Sequence, residues 1–309
     1  MGTVVLAGGT GGAKLAAGLQ ELLGTELSVV ANTGDDVGAL GVHVSPDPDL
    51  VTYWLCGQID EERGWGIRGD TFTAFERLVE LGEPDWFRLG DHDLATCLRR
   101  RHMLDAGARP TEAQAAIAAA LGVEARVRPM CDEPVRTRVR TPDGWRGLQE
   151  YLVVDRAEPP IEAVEFEGVE RSRPTPEIAD ALGGADAIVI GPSNPVISIG
   201  PILAVPGMRE AMRDSAAPVV AVSPFVAGRA IKGPTESFMR AIGHEPSAAG
   251  VAATYGDLLD GLVVDSGDPA APPPRPLSLA IPTLMDDAGS RREVAERTLE
   301  FARGLAGDR

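Results

Sequence analysis

Lysine is nearly missing from this chain. Only two of its 29 cationic residues are lysines, Lys14 and Lys232, against 46 acids, and the formal net charge is −17. Affinity for nucleic acid or anionic lipid comes from cations that neutralise phosphates, so a chain this acidic is excluded as a general binder of either. Both lysines lie in glycine-containing segments where the backbone can approach a phosphate; the alternative is a bias towards arginine that left two lysines by chance. Cysteine is scarce as well. Cys56, Cys97 and Cys131 are odd in number, widely spaced and without a Cys-x-x-Cys pair, which argues against a disulfide framework and a zinc site. No apolar run approaches the roughly 20 residues needed to span a bilayer, and Met1-Gly2-Thr3-Val4-Val5 enters a hydrophobic strand without a basic leader. The expectation is a soluble, unprocessed protein of the reducing cytoplasm.

What is present is a sizeable core. Of 309 residues, 44% are apolar, enough for one large domain over 1–309. Strand Thr3 to Ala7, loop Gly8 to Gly12, amphipathic helix Ala13 to Leu23 and strand Leu27 to Asn32 make a βαβ unit, whose parallel strands need a crossover helix. Apolar runs without alternation recur at Ala187 to Ile190, Pro218 to Val222 and Gly261 to Val264, as in strands covered on both faces. The predicted fold class is therefore α/β, a doubly wound, mostly parallel Rossmann-like sheet. Helical stretches at about Thr71 to Leu81, Asp91 to Leu104 and Thr111 to Leu121 follow, the last opened by a Thr111/Gln114 capping box. From about Arg126 to Phe166 short alternating segments such as Val135 to Arg140 read as antiparallel strands, so about 85–170 is predicted as a smaller inserted α+β subdomain. A proline-rich loop, Ser266 to Pro276, precedes a last strand at Leu277 to Ile281 and a closing helix at about Ser290 to Leu305.

Three segments carry chemistry. Gly8 to Lys14 joins a strand to a helix, where glycines admit a ligand to the backbone and the helix N-terminus favours an anion. Its spacing fits neither the Walker A nor the dinucleotide fingerprint, so it points to an anion or nucleotide, or to a tight turn alone. Asn32-Thr33-Gly34-Asp35-Asp36 follows the second strand, and Ser45-Pro46-Asp47-Pro48-Asp49 comes soon after. Neighbouring parallel strands end on one edge, so these acids would face the glycine loop across a crevice, and carboxylates beside a phosphate ask for a hard cation such as magnesium. The other reading makes them turn formers and helix caps. Gly191 to Pro201 again follows a strand, and Ser193, Asn194 and Ser198 there offer donors to phosphate or base, unless the loop is only a rigid connection. No nucleophile elbow, kinase or dehydrogenase signature is present.

Taken together, GGTGGAKL, NTGDD, SPDPDLVTYWL, GWGIRGDTF, WFRLGDHDLAT and GPSNPVISIGPIL resemble, in order and over nearly the whole chain, the 2-phospho-L-lactate transferase family of coenzyme F-420 biosynthesis. The resemblance implies a magnesium-dependent transfer of a phospholactyl or phosphoenolpyruvyl group from a guanosine diphosphate-linked donor to the ribityl hydroxyl of a deazaflavin alcohol, expelling guanosine monophosphate. It implies Asp35 as principal metal ligand with Asp36 beside it. Asp49 and Arg88 become deazaflavin contacts, Asp49 also serving catalysis with Asp35. Gly9, Thr10, Gly11, Gly12, Lys14, Ser193, Asn194 and Ser198 would hold the nucleotide. A homodimer acting on small molecules is the implied assembly. The family more often has Leu and Thr where this chain has Pro48 and Leu50, which leaves the local backbone and any threonine contact open. The donor's three-carbon group stays open between lactyl, enolpyruvyl and glyceryl. Two other readings compete: a non-catalytic nucleotide-sugar-binding regulator that shares the glycine loop and paired acids, and an unrelated metal-dependent nucleotidyltransferase. SPDPDLVTYWL and WFRLGDHD favour the transferase over the regulator.

Overall fold

Val4 and Leu6 bury their side chains on one face of a strand while Val5 and Ala7 bury theirs on the other, and Ile188 and Ile190 alternate with Ala187 and Val189 in the same way. A strand with no wet face belongs in the middle of a parallel sheet. A computed structural model describes residues 2–270, 272–273 and 275–307; Met1, and Pro274 of the proline-rich loop, lie outside the described residues. In chain order the strands are β1 Gly2–Ala7, β2 Leu27–Ala31, the hairpin β3 Val37–Ala39 and β4 Val42–Val44, β5 Arg126–Pro129, then β6 Arg136–Thr141, β7 Gly144–Gly147 and β8 Ala163–Glu167. After them come β9 Ala185–Ile190, β10 Val219–Val222, the hairpin β11 Phe225–Val226 and β12 Arg229–Ala230, β13 Gly261–Asp265 and β14 Leu277–Ile281. The helices that build the site are α1 Gly9–Leu23, α2 Pro46–Leu55, α3 Thr73–Glu80, α4 Asp91–Asp105 and α5 Pro110–Ala120.

Seven strands form one sheet in the order β14-β13-β10-β9-β1-β2-β5, and every pairing in it is parallel. The α/β, doubly wound reading holds. The chain winds outward from β1 through β2 to β5, then returns to β9 on the other side of β1 and winds the opposite way. The reversal between β1 and β9 opens a crevice at the carboxyl ends of those strands. Two apolar clusters fill the two faces, one gathering α1, α2 and the C-terminal helix Ala288–Gly307, the other gathering Ile178, Met208, Phe238 and Val251. Each fully buried aliphatic side chain among them contributes about 1.5–3 kcal/mol.

Three local expectations need correction. The segment Gly8 to Gly12 is not a loop: α1 starts at Gly9 with Gly8 as its N-cap, so the glycines are the first helical turn. Arg126–Pro129 is not antiparallel but pairs in parallel with β2 at the edge of the main sheet, which it reaches because the crossover through α3, α4 and α5 is long. The expected 85–170 insertion is thereby divided, and its antiparallel part is the three-stranded sheet β7-β6-β8. The cap of α5 is not Thr111/Gln114. Arg109 is the N-cap, and its N–H donates to Glu112 Oε2 at 2.9 Å. Thr111 instead donates through N–H and hydroxyl to Asp132, and Gln114 donates to Thr52 Oγ1 at 2.8 Å. The Ser45 to Asp49 segment, left open between a cation site and a turn or helix cap, opens a helix. Ser45 is the N-cap of α2, and Pro46 and Pro48 fall in its first turn, where a backbone N–H has no intrahelical partner to lose. The first helical bond is Asp49 N–H to Ser45 O at 3.0 Å.

Candidate active site

The crevice at the switch point is closed on its sheet side by two loops in close contact. Gly191 N–H donates to Leu6 O at 2.9 Å, and Gly8 N–H reaches Ser193 Oγ at 3.4 Å. A Cβ on Gly11 would overlap the Pro192 carbonyl, and one on Gly12 the Ser193 hydroxyl, so these two glycines answer first to packing. Above them lies a cavity of about 550 Å3, walled by Gly9, Thr10, Gly11 and Lys14 on one side and by Ser193, Asn194 and Ser198 on another. Gly12 is buried beneath it and takes no part in its wall. Asn194 shapes the loop, its Oδ1 accepting from Val196 N–H at 2.9 Å and Ile197 N–H at 3.3 Å. The two lysines of the chain meet here with Arg63. Lys14 Nζ donates to Met285 O at 2.6 Å, and burial, then Arg291 and Lys232, hold its pKa below the usual lysine value. The cavity is thus locally cationic in an acidic protein, which suits a diphosphate.

A second cavity of about 400 Å3 adjoins the first, with aromatic walls from Tyr53, Trp65, Trp86 and Phe87. Its acids come from the turn after β2, from α2 and from α4. Asp47, in the first turn of α2, accepts from Gly9 N–H at 2.5 Å and from Asn32 Nδ2 at 2.9 Å. Asp35 accepts from the same Asn32 amide at 3.4 Å and from Gln149 at 3.2 Å. One buried asparagine therefore spans two buried carboxylates, and it also holds the loops, donating to Ile197 O at 3.3 Å and accepting from Gly34 N–H at 2.7 Å. Burial and then the charge of Asp47 push the Asp35 pKa well up, and burial pushes Asp47 up to about 6. Among the described residues, neither carboxylate has a cation as a hydrogen-bond partner.

The 2-phospho-L-lactate transferase CofD family profile matches residues 3–276. The chain belongs to that family. Among similar proteins are the phosphoenolpyruvate transferase of Streptomyces coelicolor, 42% identical with 98% of each chain covered, and the 2-phospho-L-lactate transferase of Methanosarcina mazei, 41% identical over 86% of this chain and 88% of the other. The 2-phospho-L-lactate transferase of Methanopyrus kandleri is 39% identical, with 98% of each chain covered. A crystal structure of a UPF0052 family protein from Bacillus halodurans aligns with a TM-score of 0.62 at 18% identity over 96% of this chain and 98% of that one, a likeness of fold.

Among the residues expected at the site from the resemblance, the geometry is selective. Asp35, Asp49 and Arg88 share the aromatic cavity, and Gly9, Thr10, Gly11, Lys14, Ser193, Asn194 and Ser198 share the cationic one. Asp36 turns elsewhere: Ser45 donates to its Oδ1 at 2.7 Å and its Oδ2 meets His43 Nε2 at 2.8 Å. Asp49 is clamped by the buried guanidinium of Arg100, which donates to both of its oxygens. Asp49, Asp93 and Cys97 lie close enough to suggest a metal cluster, but the chemistry opposes one. Arg100 takes both Asp49 oxygens, Tyr53 donates to Asp93 at 2.8 Å, and burial pushes the Cys97 thiol far up, so it stays protonated. Asn32, Arg100 and Gln149 escaped the sequence reading as site residues, while Asp47 was among the acids placed across the crevice but was given no role by the resemblance. Asp47 offered one signal: read as a helix start, Ser45-Pro46-Asp47-Pro48-Asp49 puts both acids at the positive end of α2. Arg100 and Gln149 lie far along the chain from their partners and left none.

Proposed function

We propose that this protein transfers a 2-phospholactyl or phosphoenolpyruvyl group from a guanosine diphosphate-linked donor to the ribityl hydroxyl of a deazaflavin alcohol, in coenzyme F-420 biosynthesis. The bond formed joins the acceptor oxygen to the phosphorus that carries the three-carbon acid. The bond broken joins that phosphorus to the oxygen of the departing guanosine monophosphate. The observation that carries the reading is the meeting of a cationic, glycine-walled cavity and an aromatic, acidic one at Asp47, whose carboxylate faces the second while holding the first turn of α1. A charged donor suits the first cavity and a planar ring the second. Family membership and the names of the relatives support the same transfer.

Two buried carboxylates, each lifted by burial and sharing a single neutral amide, with the charge of Asp47 raising Asp35 further, fit a hard divalent cation, and Asp35 with Asp47 would hold it. Bound there, magnesium would neutralise the diphosphate and stabilise charge on the leaving group. The protein's own part is positioning. The α1 turn, Ser193, Ser198 and Lys14 orient the donor, Arg88 and the aromatic walls hold the ring, and Asp49, fixed by Arg100, orients the attacking hydroxyl. The enzyme reading is preferred to the regulator because a nucleotide-sugar binder has no use for the second cavity.

The test offers purified protein, magnesium and the deazaflavin alcohol with the lactyl, enolpyruvyl and glyceryl donors in turn, followed by mass spectrometry. One phosphodiester product and guanosine monophosphate are expected. No product from any donor refutes the reading, and calorimetry showing guanosine, adenosine and uridine diphosphates binding equally refutes the guanosine assignment.

A further inference from the structure

Among the described residues, Trp65 is the one common to the walls of both cavities. It stands at the tip of a folded-back loop. Ile59 bridges Ile67 across the base, Asp60 N–H donates to Gly66 O at 3.1 Å, and Gly64 N–H donates to Asp60 O at 2.8 Å. Gly64 and Gly66, at φ +76° and +69°, flank the indole and let the chain turn sharply on either side of it. Trp65 is 41% exposed, an unusual position for a tryptophan, and it lines both cavities.

A stack of rings and cations runs through it. The Arg63 guanidinium, which lines the donor cavity, lies 5.2 Å from the Trp65 ring centre and 5.2 Å from that of Phe72. Trp65 and Phe72 meet edge to face with centroids 6.4 Å apart. Arg88, which lines the acceptor cavity, lies 4.0 Å from the same Phe72 ring. Arg63 is anchored to Asp60 at 3.0 Å and to Ile67 O at 2.7 Å. An anion that draws Arg63 into the donor cavity therefore pulls on the indole and on the ring that seats Arg88. Cation–π pairs gain strength as water is removed, so filling either cavity tightens the stack for the other.

We infer that Trp65 touches both substrates and couples their binding, so that donor nucleotide and planar acceptor each raise the other's affinity through the Arg63, Trp65, Phe72 and Arg88 stack. The inference rests on the two-cavity reading above and adds to it a residue that serves both sites. It also explains a feature that reading leaves aside, an exposed tryptophan between two glycines.

Coupling of binding is reciprocal, which makes the test internally checked. Acceptor affinity is measured by deazaflavin fluorescence with and without saturating guanosine diphosphate, at fixed magnesium, and nucleotide affinity by calorimetry with and without deazaflavin. For the unaltered protein both ratios should agree and be about five-fold or more. In Trp65→Ala the ratio should fall to near one, while Trp65→Phe should restore most of it. Thermal melting of each variant confirms that the exposed loop position has not unfolded the chain. A ratio of one in the unaltered protein, or an undiminished ratio in Trp65→Ala, overturns the inference and leaves the proposed transfer standing. Failure of the unaltered protein to bind either ligand overturns the transfer reading itself.

Discussion

Asp93 carries a proton at a pH where most aspartates do not. Burial, then the charge of Asp49, lifts its pKa to about 7, against the opposing hydrogen bond from Tyr53. In the unfolded chain it titrates near 3.8. Between these values the native state keeps a proton that the unfolded chain releases, so stability falls as pH rises through the window and the loss is complete above about 7. Asp47, lifted to about 6, acts in the same direction. The melting temperature is expected to be lower at pH 8 than at pH 6. Asp93→Asn, which still accepts from Tyr53, should regain about 1–3 kcal/mol at pH 8 and little at pH 5, read by calorimetry at both. A variant no more stable at pH 8 would contradict the burial argument. Asn32 gives a second test at this scale. Asn32→Ala leaves Gly34 N–H without its acceptor and removes the amide between Asp35 and Asp47, so a stability loss of about 1–3 kcal/mol is expected together with weaker magnesium binding. Melting and a calorimetric magnesium titration read the two effects separately.

The first turns of α1 and α2 face one another, and each constrains what the other can be. Gly11 must lack a side chain because the Pro192 carbonyl passes against it, so Gly11→Ala should push the 191–198 loop away. A cost of about 1–3 kcal/mol is expected from overpacking, with guanosine diphosphate affinity reduced at the same time. Unchanged melting and binding would show that the loop yields freely. In α2 the departure at Pro48 is harmless to the backbone, since the first helical N–H to be used belongs to Asp49. Pro48→Ala should therefore keep turnover and lose only about 0.4–1 kcal/mol through a freer unfolded chain. Leu50 lies in the wall of the aromatic cavity, where its side chain presents apolar surface and no hydroxyl.

At the scale of the molecule, a net charge of −17 repels anions, while the switch point gathers Lys14, Lys232 and Arg63 around a locally cationic cavity. Among the described residues no helix is long and apolar enough to cross a membrane. Asp35 and Asp47 add two like charges to a buried place, so a bound cation should stabilise the whole fold by mass action. Millimolar magnesium at pH 8 is expected to raise the melting temperature by about 3 °C or more, and Asp35→Asn should remove most of that gain. Scanning calorimetry with and without chelator reads it, and an equal shift in the variant would place the ion elsewhere.

The sequence by itself determined the sheet and its ligand edge. Runs such as Ala187 to Ile190 have no wet face, and only a doubly covered parallel sheet can bury them, while glycines and acids after the strands fall on one edge by geometry alone. It also brought forward Asp35, Arg88 and both lysines. Tertiary structure alone decided how the acids divide their work. Asp36 and Asp49 look equivalent to Asp35 and Asp47 along the chain. What distinguishes them is Ser45 and His43 on one, and on the other Arg100, 51 residues away. The strand Arg126–Pro129 was equally hidden, because its alternation of arginine with valine and proline reflects an edge position in the main sheet and not a separate antiparallel one. Local pattern reports how many faces of an element are wet; which partner dries a face, or claims a carboxylate, depends on contacts between distant segments, and these exist only once the chain has folded.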